Sequence, residues 1–202
     1  MKILNLYAGI GGNRKLWGDE HEVTAVEYKP EIAKIYQDFF PKDKVIVADA
    51  HQYLLDHFAE FDFIWSSPPC PTHSKLRKSL SMASGAKPIF PDMKLYEEIL
   101  FLQGYCKGKW CVENVISWYE PLIKPQKLQR HYFWSNFEIP EKEFEKDSIR
   151  ITGGRNSPEW VQIKHLQERH KITLPENAPN KRTLLRNCVS PEVGKYILDL
   201  LF

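Results

Sequence analysis

Four short apolar runs separated by stretches of helical period fill the first third of the chain, and this alternation constrains the fold more than any other feature. Lys2–Leu6 (KILNL), Val23–Glu27 (VTAVE), Lys44–Val47 (KVIV) and Asp62–Ser66 (DFIWS) are four or five residues long and rich in branched or aromatic side chains. That is the pattern of strands buried on both faces. Glu31–Phe40 and Ala50–Phe58 carry apolar positions at helical spacing, with Pro30 suited to an early helical position. The βαβαβαβ order predicts an α/β fold: an open, doubly wound, mostly parallel sheet with ligands at the carboxyl ends of its strands.

After Ser66 the pattern breaks into a stretch rich in Ser, Pro and Lys, Pro68–Pro91, which reads as one long loop. Order returns with a helix over Asp92–Cys106, capped by Asp92, and with strands through Trp110–Val115 and His131–Phe137. Residues 138–180 are polar, contain the turn Gly153-Gly154 and lack a sheet pattern, so they read as a small inserted module. A closing helix from about Pro191 to Phe202 places Val193, Ile197, Leu198 and Leu201 at helical spacing. Residues 1–137 and 181–202 are thus expected to form one body, within the size of a single domain.

No run approaches the ~20 apolar residues needed to span a bilayer. The N-terminal MKILNLYAGIGG has one Lys followed by glycines instead of a secretory pattern, so the expectation is a soluble cytoplasmic protein. Cys70, Cys106, Cys111 and Cys188 lack paired metal-site spacing, and no metal is expected. The net charge of +2 hides an asymmetry, since the basic residues of the second half cluster in stretches free of acid. Lys75, Arg77, Lys78 and Lys87 form one, Lys124, Lys127 and Arg130 a second, and Lys181, Arg182 and Arg186 a third. Such stretches suit a polyanion, with a solvated basic loop as the alternative.

Tyr7-Ala8-Gly9-Ile10-Gly11-Gly12 follows the first strand, where glycines let the backbone approach a ligand closely, although Arg14 stands where a dinucleotide fingerprint has its third Gly. Glu27 ends the second strand, where a carboxylate accepts hydrogen bonds from ribose hydroxyls. Asp49 follows the third strand, either at the same site or as a helix cap. Together they describe a site for a nucleoside-containing cofactor. The fourth strand runs into Ser66-Ser67-Pro68-Pro69-Cys70-Pro71-Thr72-His73-Ser74, in which two prolines stiffen the backbone before a cysteine, a sensible way to hold a nucleophile. The fifth strand ends in Glu113-Asn114-Val115, which places Glu113 at the same sheet edge.

On these motifs the sequence resembles the DNA cytosine-5 methyltransferase family. LYAGIGG matches its glycine loop, Val26-Glu27 its ribose acid, Asp49 the acid after its third strand, SPPCPTHS its nucleophile loop and Glu113–Val115 its ENV triplet. RHYFWSNF (Arg130–Phe137) and RNCVSP (Arg186–Pro191) continue the resemblance, leaving residues 138–180 uncovered. It departs from the family at Asn5, usually Asp, at Pro71, usually Gln, and at Arg186, usually Gly.

The resemblance implies the Rossmann-like methyltransferase fold, S-adenosylmethionine as cofactor and methyl transfer to C5 of cytosine in DNA. It assigns Cys70, Glu113 and Arg130 to catalysis, with His131 as the alternative to Arg130 one residue on. It assigns Tyr7, Ala8, Gly9, Ile10, Gly11, Gly12, Glu27, Asp49, Pro69, Asn187 and Val189 to the cofactor. Ser74, Lys75, Arg77, Lys78, His131 and Arg155 are assigned to nucleic acid. The thiolate of Cys70 would add to C6 while Glu113 in its acid form bonds N3, and the site would be expected to lower the thiol pKa. The target base must be flipped out or already single-stranded. A bacterial or phage-like host and a restriction-modification setting belong to the same expectation, as does a protein partner that supplies specificity. Alternatives are an RNA cytosine methyltransferase and a nucleic-acid-binding protein retaining the fold. A nicotinamide oxidoreductase gives Cys70 and Glu113 no role, and an amino-methyltransferase would carry an aromatic residue where Cys70 stands.

Overall fold

A computed structural model describes residues 1–85, 87–144 and 158–202. The strands are β1 (Lys2–Leu6), β2 (Glu22–Glu27), β3 (Lys44–Val47), β4 (Phe63–Ser66), β5 (Lys109–Val115), β6 (Gln126–Leu128) and β7 (His131–Ser135). The helices are α1 (Pro30–Phe39), α2 (Ala50–His57), α3 (Lys75–Ser84), α4 (Lys94–Tyr105), α5 (Glu159–His170), α6 (Lys181–Arg186) and α7 (Pro191–Asp199). They build one seven-stranded sheet in the order β3-β2-β1-β4-β5-β7-β6. Neighbours among β1 to β5 are parallel, and β7 runs antiparallel to both β5 and β6.

The two faces follow from the period of two along each strand. Ile3, Val23, Phe63, Trp65, Cys111 and Phe133 pack with Val193, Ile197 and Leu198 of α7 on one face. Leu4, Leu6, Val26, Ile64 and Val112 pack on the other with Leu54 of α2 and with Leu95, Ile99 and Leu102 of α4. Chain order reverses between β1 and β4, so the segments after these two strands diverge and leave a crevice at their carboxyl ends. Among the described residues no helix is long and apolar enough to cross a membrane.

Pro68–Pro91 is not one long loop, because its middle forms α3. Leu76 and Leu80 stand four apart among good helix formers in KLRKSLSMAS, a signal obscured by the serines and flanking prolines. The three-residue β6 carries too short a pattern to be read and exists by pairing with β7. Within residues 138–180, Ile139 joins the α7 side of the core, while Leu166, Ile172 and Leu174 pack with Ile10, Ile35 and Leu185. Arg150, Arg155 and the Gly153-Gly154 turn lie outside the described residues.

Candidate active site

A cavity of about 550 Å³ opens at the carboxyl ends of β1, β2, β4 and β5. Its lining brings together Tyr7, Ala8, Gly9, Ile10, Gly12, Glu27, Asp49, Pro69, Cys70, Glu113, His131, Asn187 and Val189, residues that stand up to 182 positions apart in the chain. Asn114 of the Glu113–Val115 triplet and Cys188 of RNCVSP also line it, as do Tyr28 and Lys94, which carried no sequence signal of their own.

The glycine loop turns at Tyr7 (φ 55°) and Gly9 (φ 54°), both left-handed. A Cβ on Gly9 would meet no atom within 4 Å, so the backbone there faces open cavity. Its amide donates to Glu27 Oε2 at 3.1 Å, and the Lys29 amide donates to Oε1 at 3.0 Å. Each oxygen keeps acceptor capacity for a ligand hydroxyl. Gly12 is needed for another reason, since a Cβ there would lie 2.5 Å from the Val189 carbonyl and 2.6 Å from Cys188 Sγ. This close approach seats the segment after α6, with Asn187 and Val189, beside the glycine loop. Burial pushes the Cys188 thiol up to about 12. Gly11 does not line the cavity; its Cβ would collide with Phe40 and Tyr36. Asp49 caps α2, accepting from the Gln52 amide at 3.0 Å through Oδ1, and also lines the cavity. Asn5, buried at the cavity floor, is paired by its amide to Asn13 at 2.8 Å.

The loop Pro68–Ser74 is tied down on both sides of Cys70. Asn114 donates to the Pro68 carbonyl at 2.9 Å, and the Cys70 carbonyl accepts from the His73 and Ser74 amides at 3.0 and 3.1 Å. Trp118 donates to the His73 and Thr72 carbonyls, each at 3.0 Å, and His73 Nδ1 lies 2.6 Å from the Tyr119 hydroxyl. The Asp92 amide bonds Thr72 Oγ1 at 2.9 Å, which anchors the far end of the segment. Burial first, and the Glu113 carboxylate second, raise the Cys70 thiol above its ordinary pKa. The expected lowering is therefore absent from the protein alone.

Glu113 is nearly buried, and His131 Nε2 lies 3.6 Å from its Oε1. The β5–β7 register aligns His131 with Val115, which puts it on the Glu113 side. Arg130 is exposed and does not line the cavity. Ser74 forms an isolated bridge with Ser117, and Lys75 and Arg77 lie in α3. Lys78, also in α3, holds its Nζ 3.8 Å from the centroid of the Trp118 ring.

Residues 1–98, which carry the glycine loop, Glu27, Asp49 and Cys70, match the family model of the C-5 cytosine-specific DNA methylase. Over these residues, just under half of the chain, the sequence is similar to the cytosine-5 methyltransferase family. No curated protein matches it significantly. Among solved structures, a mutant of DNMT2 from Spodoptera frugiperda superposes with a TM-score of 0.60 at 15% identity, covering 100% of this chain and 99% of that one. That likeness is one of fold. The Entamoeba histolytica methyltransferase EhMeth gives a TM-score of 0.38 at 15% identity, over 57% of this chain and 38% of that chain. A hypothetical protein from Thermus thermophilus gives 0.42 at 14%, over 66% and 73%.

The cytosine-5 methyltransferase family uses S-adenosylmethionine, and the cavity has residues that fit it. The Gly9 backbone leaves space that a side chain would fill, and Glu27 offers acceptors to ribose hydroxyls. The cavity holds both together with Asp49 and Asn187.

Proposed function

We propose that this methyltransferase modifies C5 of cytosine in DNA through a covalent bond from Cys70. The observation that carries this reading is the presence of Cys70 and Glu113 on the wall of the cavity that also holds the glycine loop and Glu27. S-adenosylmethionine, when bound, supplies an electrophilic methyl group.

A cytosine ring carbon is a poor nucleophile, and covalent addition overcomes this. The Cys70 thiolate adds to C6, and the electron pair displaced from the C5–C6 bond makes C5 nucleophilic. Glu113, as its acid, donates a hydrogen bond to N3 and stabilises charge spread through the ring. His131, beside Glu113, is positioned to meet the substrate or to hold the carboxyl group. After methylation C5 loses its proton to solvent, the C5–C6 double bond reforms and the thiolate leaves. The ring must leave a duplex stack for this addition, or arrive single-stranded. Exposed Lys75 and Lys78 stand just beyond the nucleophile loop and can contact phosphates.

The test is methyl transfer to duplex DNA, single-stranded DNA and tRNA side by side, with wild type and Cys70→Ser. Transfer to DNA, loss of turnover in Cys70→Ser and covalent trapping of wild type by 5-fluorocytosine DNA are expected. Preferential transfer to tRNA would overturn the substrate, and a fully active Cys70→Ser enzyme would overturn the mechanism.

A further inference from the structure

Glu98 of α4 is the feature of this sheet edge that its assigned chemistry leaves unexplained. Its side chain is 0% exposed. The Tyr7 hydroxyl donates to its Oε1 at 2.5 Å, the Ser66 hydroxyl donates to its Oε2 at 2.6 Å, and His51 Nδ1 lies 3.0 Å from Oε1. A carboxylate taken from water is costly unless its oxygens are paired, and these three groups supply the pairing.

The partners come from three separate parts of the cofactor edge. Tyr7 begins the glycine loop in a left-handed conformation. Ser66 ends β4, directly before the nucleophile loop, and His51 sits in the first turn of α2, two residues after Asp49. Glu98 does not line the cavity, whereas Tyr7 does. His51 Nε2 also reaches Glu97 at 3.3 Å, so the imidazole spans two acids of α4. Its pKa is raised, chiefly by the hydrogen bond to Glu98, against burial and the charge of Lys94.

We propose that Glu98 is a positioning residue for cofactor binding, which holds Tyr7 in place and thereby aims the glycine loop, while keeping Asp49 and the nucleophile loop in register through His51 and Ser66. The proposal rests on the assignment of this edge to S-adenosylmethionine. A single carboxylate bonded to all three parts can transmit a shift in one to the others, which separate apolar contacts would not do with the same directionality.

The experiment titrates S-adenosylhomocysteine calorimetrically into the full chain as wild type, Glu98→Gln, Tyr7→Phe and the double variant, with initial rates and thermal unfolding alongside. The Glu98→Gln affinity is expected to fall about tenfold, KM for S-adenosylmethionine to rise in parallel, and kcat at saturating cofactor to change less than about twofold. Tyr7→Phe should show a smaller loss in the same direction, and the double variant should be no worse than Glu98→Gln, as for residues acting through one another. Unchanged affinity and KM in Glu98→Gln, with only a lower unfolding temperature, would overturn the proposal. So would a fall in kcat at constant KM. Should Glu98→Gln not fold, an unchanged affinity in Tyr7→Phe overturns it alone. A wild type that binds no S-adenosylhomocysteine would overturn the assignment of the edge itself.

Discussion

The side chain of Asn114 donates to the backbone carbonyl of Pro68 at 2.9 Å, and this bond ties the loop that carries Cys70 to the strand that carries Glu113. Asn114 follows Glu113 at the end of β5, and Pro68 stands two residues before Cys70. The β4–β5 register, Ser66 opposite Val112, brings the strand ends level, and the Asn114 bond fixes the loop beyond them. The same side chain accepts from the Val115 amide at 3.0 Å, which sets its rotamer.

Asn114→Ala removes the donor and leaves the Pro68 carbonyl without that partner, so a loss of about 1–3 kcal/mol in stability is expected. The chemical step should suffer more than cofactor binding, because the Cys70 to Glu113 spacing is what loosens. Thermal unfolding, S-adenosylhomocysteine titration and single-turnover rates measure the three quantities. A variant whose cofactor affinity falls while its single-turnover rate holds would contradict this role.

The strand ends and the glycine loop were legible because each follows a compact apolar run whose period admits one reading. Glu98 was not, since Glu97-Glu98 in a helix reads as a solvated acidic pair until Tyr7, His51 and Ser66 arrive from other elements. The choice between Arg130 and His131 turns on a one-residue register, which only the pairing of β5 with β7 specifies. Arg14, in the sequence merely a missing glycine, proves to be a buried structural cation.

That cation supports a stability prediction. Arg14 Nε and Nη2 bond Asp43 at 2.8 and 2.9 Å, and the two side chains are 3% and 2% exposed. The Tyr36 hydroxyl completes the Asp43 shell at 2.8 Å. Arg14→Met leaves a buried carboxylate without its counterion and should cost about 3–5 kcal/mol. Asp43→Asn should cost a comparable amount, and the double variant much less than the sum. Denaturant titration of the four proteins checks this; additive losses would mean that the pair is not coupled.

The raised Cys70 pKa gives a pH prediction with a definite sign. Thiolate is the reactive form, so in the protein alone alkylation of Cys70 by iodoacetamide should be slow at pH 7 and rise about tenfold per pH unit through pH 9. Glu113→Gln removes a negative charge that opposes ionisation and should move the profile to lower pH. Added S-adenosylmethionine, with its cationic sulfonium, should act in the same direction. Mass spectrometry of the Cys70 peptide separates it from Cys106, Cys111 and Cys188. A profile already flat at pH 7 would show that the free protein activates this thiol.

Two carboxylates of the cavity should separate binding from chemistry. Glu27→Ala removes an acceptor for ribose and should weaken S-adenosylmethionine binding by roughly 1.5–3 kcal/mol. Glu113→Gln should leave that affinity intact and depress the rate. Calorimetry and steady-state rates on both variants would show the opposite pattern if the roles were exchanged.

Sequence recognition should be shallow, because little of the chain remains to provide it. Glu138–Asn180 amounts to 43 residues, and part of it is engaged in packing: Leu166 of α5 is buried, as are Ile172 and Leu174 beyond it. Any base contacts from Gln162, Lys164 and His165 would add little, since each good bidentate pairing contributes only about 1–3 kcal/mol of discrimination. Lys75, Lys78, Lys87, Lys124, Lys127 and Arg130 are exposed, by contrast, and suited to phosphate. Most of the affinity should then come from counterion release, at about 0.9 in the log–log salt slope for each phosphate neutralised. The expected result is a target of roughly two to four base pairs, with salt weakening cognate and mutated sites about equally. Bisulfite sequencing and salt-dependent binding of the isolated chain measure both. A strict six-base-pair target for the protein alone would contradict this account, and specificity that appears only on adding a partner protein would move the reading of bases off this chain.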